Sequence, residues 1–287
     1  MTLREILRST SRALCEAGIS DSGPEAELLI SHVLSMSKTQ LYTQPERNLS
    51  PAEMERLRDL VRRRLDHEPS AYILGHLEFY GNDFCVDCRT LIPRPETELL
   101  VERAIEIVRC MSLPERSITI ADIGTGCGAI AISLALALPR AEIYATDASA
   151  PALRVAEMNC RRHGVDGRVR LLHGNLLEPL PQLVDMVVAN LPYVKDGELA
   201  VLSPEIRNYE PMLALSGGED GLDKVRQLLE QMPGNLSREA CCLLEVGQGQ
   251  AEMAASLIRK YFPQASVESI ADLGGIARVV QARLQNE

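Results

Sequence analysis

Residues 117–287 alternate apolar runs of strand length with amphipathic stretches of helical length, and this alternation constrains the fold more strongly than any other feature. A parallel strand is buried on both faces and reaches its neighbour through a crossover helix. The pattern is therefore typical of an α/β fold, a parallel sheet covered by helices on both faces. The run Val184–Ala189 reads as one buried strand. The last strands are expected at residues 241–246 and 277–282, with a helix at residues 250–260 between them.

The first strand–helix unit contains a turn that is rich in glycine. The sequence predicts a strand at residues 117–123, a tight turn at residues 124–128 (Gly-Thr-Gly-Cys-Gly) and a buried helix at residues 129–138. Glycine adopts positive φ angles and lets a ligand approach the backbone, and a helix N-terminus follows directly. The spacing is G-x-G-x-G rather than the G-x-G-x-x-G of dinucleotide-binding proteins. The residues alone leave open whether this turn binds a ligand or only packs the sheet.

Polar residues follow the next predicted strands at their carboxyl ends, where open α/β sheets collect their ligands. Asp147 follows the strand at residues 141–146, about 20 positions beyond the glycines, where an acidic residue can bind ribose hydroxyls. It could also cap the helix that comes next. Asn175 and Leu176 follow the strand at residues 169–172 in the same way.

The turn Asn190-Leu191-Pro192-Tyr193 follows the strand Val184–Ala189. The side-chain oxygen of Asn190 and the backbone carbonyl of Leu191 supply two neighbouring acceptors, and Pro192 restrains the residue before it. Such a pair suits a planar NH2 group, and the ring of Tyr193 could lie against that plane. The alternative is a turn that merely ends the strand.

Residues 1–75 predict a small domain made of helices. Thr2 with Glu5 and Ser50 with Glu53 have the spacing of a capping box, and proline follows Ser50 at the first helical position. The basic run at residues 62–64 is expected to be a solvated helix face. After this domain, two short β-rich runs around Gly81 and Asn82 predict a hairpin.

Composition excludes several classes of protein. The formal net charge of −10 argues against non-specific binding to nucleic acid, which needs clustered lysine and arginine. The eight cysteines are expected to be reduced and buried. Cys85 and Cys88 have the C-x-x-C spacing of a zinc half-site, but no second C-x-x-C and no H-x-x-x-H follows, so no metal site is predicted. The charged start of the sequence does not resemble a signal peptide, and residues 129–138 are too short to span a bilayer. A cytoplasmic protein without membrane contact is expected.

Several stretches together resemble the release factor glutamine methyltransferases, the PrmC/HemK family. They are YILGHLEFYG at residues 72–81, LIPRPETE at residues 91–98, and the run at residues 205–222 that contains EIRNYEPMLAL and GGEDGL. Asp-x-Gly-x-Gly-x-Gly at residues 122–128 is also similar to motif I of the class I methyltransferases, and residues 190–193 are similar to the family's Asn-x-Pro-Tyr turn. This turn departs from the family pattern in having Leu191 where the family has proline.

The resemblance implies a Rossmann-like seven-stranded class I methyltransferase domain at residues 96–287, preceded by a small all-α N-terminal helical domain that docks the substrate (1–75) and a β-hairpin linker (76–95). It implies S-adenosyl-L-methionine as methyl donor and S-adenosyl-L-homocysteine as product. The implied cofactor-binding residues are Gly124, Thr125, Gly126, Cys127, Gly128, Asp147, Asn175, Leu176 and Asn190. The implied catalytic and substrate-binding residues are Asn190, Leu191, Pro192 and Tyr193.

The implied reaction methylates the side-chain amide nitrogen of the glutamine in the Gly-Gly-Gln motif of peptide chain release factors. The implied partner is thus a release factor, and the enzyme is expected to be a monomer that forms no stable nucleic-acid complex. Three alternatives are a methyltransferase for a ribosomal-protein glutamine, one for the exocyclic amine of adenine in nucleic acid, and a non-catalytic adenosine-binding protein. Arg207 and Glu210 could pair to hold the active-site loop or could bind the substrate backbone.

Overall fold

The computed structural model describes residues 1–110 and 117–285, and the chain divides into two compact units. One unit comprises Met1–His76 together with Ser203–Tyr209. The other comprises Leu77–Leu202 and Glu210–Glu287. A short segment from late in the chain is therefore part of the N-terminal unit.

The N-terminal unit is helical. Capping boxes begin α1 and α4 at Thr2 and Ser50, as the sequence predicts, and a third at Ser37 begins α3. The core of this unit is formed by leucine and isoleucine side chains from these helices, with Leu29 and Ile30 of α2 fully buried. The helices are α1 (Leu3–Glu16), α2 (Ser22–Leu34), α3 (Lys38–Thr43), α4 (Pro51–Leu65), α5 (Ser70–Leu74) and, from the late segment, α9 (Pro204–Tyr209).

Arg64 joins the late segment to the helices of the N-terminal unit. Its guanidinium group lies 3.0 Å from Glu25 and 2.6 Å from Glu205, and only 2% of the residue is exposed. The hydroxyl of Tyr209 also donates to the backbone oxygen of Asp66 at 2.8 Å. The prediction of a solvated basic face is therefore wrong for Arg64, because two carboxylates neutralise its charge inside the unit.

A hairpin of β1 (His76–Phe79) and β2 (Asn82–Cys85) follows. Tyr80 and Gly81 form its turn with φ angles of 50° and 69°, as a two-residue turn between twisted strands requires. The turn thus lies one residue earlier than the sequence predicts, because Asn82 already belongs to β2.

Within the described residues, seven strands form the main sheet in the order β5-β4-β3-β6-β7-β9-β8. Neighbours from β5 to β7 are parallel, whereas β9 is antiparallel to both β7 and β8. This sheet confirms the predicted fold class. Its strands are β3 (Thr119–Ile123), β4 (Glu142–Asp147), β5 (Val169–His173), β6 (Val184–Ala189), β7 (Leu236–Glu245), β8 (Ser266–Ala271) and β9 (Ala277–Gln285). The helices of this unit are α6 (Glu98–Cys110), α7 (Ala129–Ala137), α8 (Ala150–Arg162), α10 (Asp223–Gln231) and α11 (Ala251–Tyr261).

The order of the strands determines where a ligand can bind. The chain adds β4 and β5 on one side of β3 and then crosses to add β6 on the other side. Ile123 of β3 pairs with Thr146 of β4 and with Ala189 of β6, so the residues that follow these strands emerge at one edge. This reversal is the topological switch point at which open α/β sheets bind their ligands.

Two smaller expectations need correction. The residue pattern located six of the seven strands and missed β8, because the residues of β8 are exposed or half-buried and lack an apolar run. Three of the eight free cysteines, Cys15, Cys88 and Cys110, are exposed rather than buried. Among residues 1–110 and 117–285, none of the helices has both the length and the apolar character needed to cross a membrane.

Candidate active site

A cleft opens at the carboxyl ends of β3, β4 and β6, within the larger unit. Its walls are formed by the backbone of the glycine turn, by polar residues at the ends of the strands, and by apolar side chains of two loops. The lining residues are Arg89, Thr90, Leu91, Gly124, Gly126, Thr146, Asp147, Ala148, Ser149, Ala152, Asn175, Leu176, Asn190, Leu191, Pro192, Pro211, Leu213, Ala214 and Lys224.

The glycine turn brings backbone close to the cleft. Gly124 and Gly126 have φ angles of 76° and 57°, and the amides of Gly124 and Thr125 both donate to the oxygen of Thr146 at 2.9 Å. A Cβ atom on Gly126 would meet no protein atom within 4 Å, so a ligand can approach the backbone there. The turn therefore leaves space for a ligand rather than filling it with protein side chains.

Asp122 holds the glycine turn from inside the sheet. Its Oδ2 atom accepts the hydroxyl of Thr125 at 2.6 Å and the amide of Ala131 at 3.1 Å. Its Oδ1 atom is buried and has no hydrogen-bond partner among the described residues. Burial raises the pKa of this carboxyl from 3.8 to about 7.

Asp147 connects the turn to the end of β4. One of its oxygens accepts the amide of Gly126 at 2.8 Å and the other accepts the amide of Ser149 at 2.7 Å. Burial raises the pKa of Asp147. The cap of α8 is Ser149, whose hydroxyl accepts the amide of Ala152, so Asp147 does not serve as that cap. A carboxylate has about four acceptor sites, so Asp147 can still accept hydroxyl groups from a ligand.

Asn175 and Leu176 form the wall beyond β5. The side-chain nitrogen of Asn175 donates to Glu178 at 2.9 Å, which leaves its side-chain oxygen as an acceptor for a ligand. Leu176 is buried and has a φ angle of 53°, a conformation that costs a residue other than glycine about 1–3 kcal/mol. Strained backbone of this kind is concentrated at ligand sites.

Asn190 is oriented by residues behind the cleft. Its side-chain nitrogen donates to the hydroxyl of Thr97 at 3.1 Å. Glu245, at the end of the neighbouring strand β7, is also buried, and its Oε2 atom has no hydrogen-bond partner among the described residues. The amide nitrogen is thus turned inward. The Oδ1 atom of Asn190 is left to face the cleft, where the sequence predicted an acceptor.

Glycines fix the backbone of Pro192 and Tyr193. A Cβ atom on Gly217 would lie 2.6 Å from the oxygen of Pro192, and one on Gly221 would lie 2.3 Å from the oxygen of Tyr193. That Tyr193 oxygen also accepts the side-chain nitrogen of Gln250 at 2.9 Å. The GGEDGL stretch therefore packs directly behind the turn.

The predicted site residues fall into two groups. Most line the cleft, namely Gly124, Gly126, Asp147, Asn175, Leu176, Asn190, Leu191 and Pro192. The other four lie behind this lining. The hydroxyl of Thr125 donates to Asp122, and the backbone oxygen of Cys127 accepts a hydrogen bond from Asn159. Gly128 precedes α7, and the ring of Tyr193 lies beside Gly247.

Sequence reasoning missed two kinds of residue. It missed part of the cleft lining, namely Arg89, Leu213 and, from the first turn of α10, Lys224, and it missed Thr97, which accepts the nitrogen of Asn190. The only available signal for Thr97 was its position in the PRPETE run.

Glu210 is buried and pairs with Arg94 of that same run at 2.5 Å.

Comparisons with known proteins identify the family. Residues 5–75 match the family model of the PrmC N-terminal domain, and residues 104–217 match that of the methyltransferase small domain. The release factor glutamine methyltransferase of Moorella thermoacetica is 40% identical over 288 residues, covering 100% of both chains. That of Geobacter sulfurreducens is 39% identical over 285 residues, covering 99% of this chain and 97% of the relative. The chain belongs to the release factor glutamine methyltransferase family.

This methyltransferase depends on S-adenosylmethionine, as its family does. A methyltransferase structure from Pyrococcus furiosus superposes with a TM-score of 0.53 at 17% identity, covering 73% of this chain and 91% of that chain, and supports the fold. The cleft fits the cofactor, because Gly126 leaves space beside the backbone and Asp147 retains acceptor sites for hydroxyl groups.

Proposed function

We propose that this enzyme transfers a methyl group from S-adenosylmethionine to the side-chain amide nitrogen of the glutamine in the Gly-Gly-Gln motif of peptide chain release factors. The observation that carries the proposal is the orientation of Asn190. Its nitrogen is bound to Thr97, so its oxygen faces the cleft as an acceptor for an NH2 group. The relatives named above, which act on release factor glutamine, supply the choice of substrate.

The proposed cofactor site uses the strand ends beside β3. Gly124 and Gly126 let the cofactor approach the backbone, Asp147 accepts the ribose hydroxyls, and Asn175 with Leu176 contacts the adenine. When bound, S-adenosylmethionine supplies an electrophilic methyl group on a positively charged sulfur. The pairing of β3 with β6 brings the glycine turn and the loop that begins at Asn190 to neighbouring positions, and this supports methyl transfer to a group bound at Asn190.

The proposed catalytic role of the turn follows from the chemistry of an amide. An amide nitrogen is a poor nucleophile because its lone pair is delocalised into the carbonyl group. Positive charge develops on this nitrogen and its hydrogens as the nitrogen–carbon bond forms and the sulfur–carbon bond breaks. The Oδ1 atom of Asn190 and the carbonyl oxygen of Leu191 accept those hydrogens and stabilise the transition state more than the ground state. One hydrogen then leaves the nitrogen as a proton to solvent water, and the sulfur keeps the electron pair of the broken sulfur–carbon bond.

The remaining residues of the turn keep these acceptors in place. Pro192 restrains the backbone of Leu191, which compensates for the absence of proline at that position. Tyr193 is fixed through its backbone oxygen by Gln250, and its ring packs beside Gly247 behind the cleft lining. Leu191 retains the backbone carbonyl, so its substitution for proline leaves the acceptor unchanged.

The N-terminal helical domain, residues 1–75, is proposed to dock the release factor. Its match to the PrmC N-terminal domain supports this role, since the same domain is a named part of the family. An enzyme with this substrate would work in the cytoplasm, where release factors meet the ribosome.

The test exposes the enzyme and S-adenosylmethionine labelled in the methyl group to an unmethylated release factor. A release factor whose Gly-Gly-Gln glutamine is replaced by alanine, a ribosomal-protein fraction and bulk DNA serve as competing substrates. Label is expected on the intact release factor alone. Label on DNA or on a ribosomal protein, with none on the release factor, would overturn the proposed substrate.

The variant Asn190→Ala tests the catalytic role. Its kcat is expected to fall by about 10²–10³, as for the loss of one preorganised transition-state partner. Affinity for S-adenosylmethionine, measured by calorimetry, should change much less than kcat. Normal turnover by a folded Asn190→Ala variant would contradict the role of Asn190.

A further inference from the structure

A buried ion pair joins two segments of the larger unit that lie 116 positions apart in the chain. A guanidinium nitrogen of Arg94 lies 2.5 Å from a carboxylate oxygen of Glu210. Only 1% of the Glu210 side chain is exposed, against 30% of the Arg94 side chain. Glu210 is therefore too buried to bind a substrate backbone, which is one of the two roles that the sequence left open. The other role, holding a loop of the active site, fits this contact.

Arg94 belongs to a segment with a restrained backbone. It stands between Pro93 and Pro95, and its φ and ψ angles of −97° and 147° are those that a following proline favours. Pro95 begins the single helical turn that ends at Thr97, and Thr97 accepts the side-chain nitrogen of Asn190 at 3.1 Å. Arg94 therefore lies three positions before the residue that orients Asn190.

Glu210 begins a loop at residues 210–217, which we name the Glu210 loop. The chain returns to the larger unit at Glu210, because the residues immediately before it belong to the N-terminal unit. Three residues of the loop line the cleft, namely Pro211, Leu213 and Ala214. Leu213 is 57% exposed, so packing of its side chain does not fix its position. The attachments at the two ends of the loop therefore decide where this wall of the cleft lies.

The far end of the Glu210 loop is attached to the chain just beyond the turn that contains Asn190. The amide of Val194 donates to the backbone oxygen of Leu215 at 3.0 Å, and the amide of Gly217 donates to the backbone oxygen of Val194 at 2.8 Å. The near end has the ion pair described above. Each end is thus joined to a segment that either carries or orients Asn190.

Resting on the proposed function of Asn190, we propose that Arg94 and Glu210 are positioning residues, whose ion pair holds the Glu210 loop against the segment that orients Asn190. The substrate glutamine binds between this loop and Asn190, so the pair fixes the separation of the two walls that it meets. This separation matters because a misplacement of about 1 Å can lower a rate about 100-fold. Neither Arg94 nor Glu210 is among the described residues that line the cleft, so both act through the residues that they hold.

The first experiment measures kcat/KM for an unmethylated release factor together with the melting temperature. Arg94→Lys keeps the positive charge and should retain most of the wild-type kcat/KM. Arg94→Met should lower kcat/KM by about 10-fold to 100-fold. It should also lower the melting temperature, because the buried carboxylate of Glu210 loses this cation. The affinity for S-adenosylmethionine, measured by calorimetry, should change much less than kcat/KM, since the proposed cofactor contacts lie at strand ends that the pair does not hold.

A double variant separates positioning from stability. Arg94→Met with Glu210→Gln removes both charges, so no carboxylate is buried without its cation and much of the lost melting temperature should return. The ion pair is still absent, so kcat/KM should stay about tenfold or more below that of the wild type. Recovery of kcat/KM in parallel with the melting temperature would overturn the proposal. Arg161→Met is the matched control, because it breaks an exposed pair with Glu157 and should leave both quantities unchanged.

A fluorescence measurement separates this proposal from the proposed function, because it needs no substrate. The sequence contains no tryptophan, so Met212→Trp places a single tryptophan in the Glu210 loop, at a residue that is 51% exposed. Adding Arg94→Met and Glu210→Gln to this reporter should lower the anisotropy of its fluorescence and increase its quenching by acrylamide. Adding Arg161→Met should change neither quantity.

The two proposals then fail in different ways. A Glu210 loop that loosens without the pair, in an enzyme that does not methylate release factors, would refute the proposed substrate alone. Unchanged anisotropy and quenching after removal of the pair would refute the positioning role of Arg94 and Glu210.

Discussion

Asp122 offers a direct test of how burial acts on the carboxyl groups of this sheet. Its pKa is raised from 3.8 to about 7, so the folded protein binds its proton more tightly than the unfolded chain does. Asp122 therefore makes its full contribution to the free energy of unfolding below about pH 4, and this contribution is lost as the pH rises from about 4 to 7. Over that range the loss amounts to roughly 4 kcal/mol, at about 1.4 kcal/mol per pH unit.

The variant Asp122→Asn should remove this dependence on pH. The asparagine oxygen can accept the hydrogen bonds of Thr125 and Ala131, while its NH2 group occupies the position of Oδ1, which has no partner among the described residues. That unpaired donor costs about 1–3 kcal/mol at every pH. The free energy of unfolding of the variant relative to the wild type should therefore rise by about 2–3 kcal/mol between pH 5 and pH 8.

The assay is urea unfolding at pH 5, 6, 7 and 8, followed by circular dichroism. The control is Asp220→Asn, because Arg226 lowers the pKa of Asp220 to about 2 and this carboxyl stays ionised throughout that range. The difference between Asp220→Asn and the wild type should stay constant with pH. If the free energy of unfolding changed with pH in the same way for Asp122→Asn and for the wild type, this would refute the argument that burying the ionised carboxyl of Asp122 is costly.

Two further predictions concern other parts of the chain. Arg64→Met should destabilise the helical unit by about 3–5 kcal/mol, because it leaves two carboxylates without their buried cation, whereas Arg62→Met at an exposed pair should cost less than about 1 kcal/mol in the same urea titration. Gly221→Ala should lower both the melting temperature and the kcat, because its Cβ atom would lie 2.3 Å from the oxygen of Tyr193. Gly234→Ala is the matched control, since its Cβ atom would meet nothing within 4 Å and its melting temperature should change little.

The sequence by itself determined the elements whose signals are local. Capping boxes at Thr2 and Ser50 marked helix starts, because the residues that form them lie three positions apart. The strand predicted from the apolar run has the same bounds as the observed β6, since a strand buried on both faces needs continuous apolar residues. Open α/β sheets bind their ligands at the carboxyl ends of strands, so the positions of Asp147 and Asn190 in the sequence were enough to predict that both line the cleft.

Tertiary structure decided what depends on distant residues. Strand β8 pairs at the edge of the sheet through backbone hydrogen bonds, which require no apolar pattern in its side chains. The pairing of Arg64 with Glu205 joins residues 141 positions apart, and no local periodicity reports such a contact.

The same limit applies to the site itself. The sequence indicated that Asn190 follows a strand, but the end of its amide that faces the cleft depends on Thr97, 93 positions earlier. Periodicity and turn chemistry act over a few residues, whereas the orientation of a buried amide is set by whichever donors and acceptors the folded chain brings beside it.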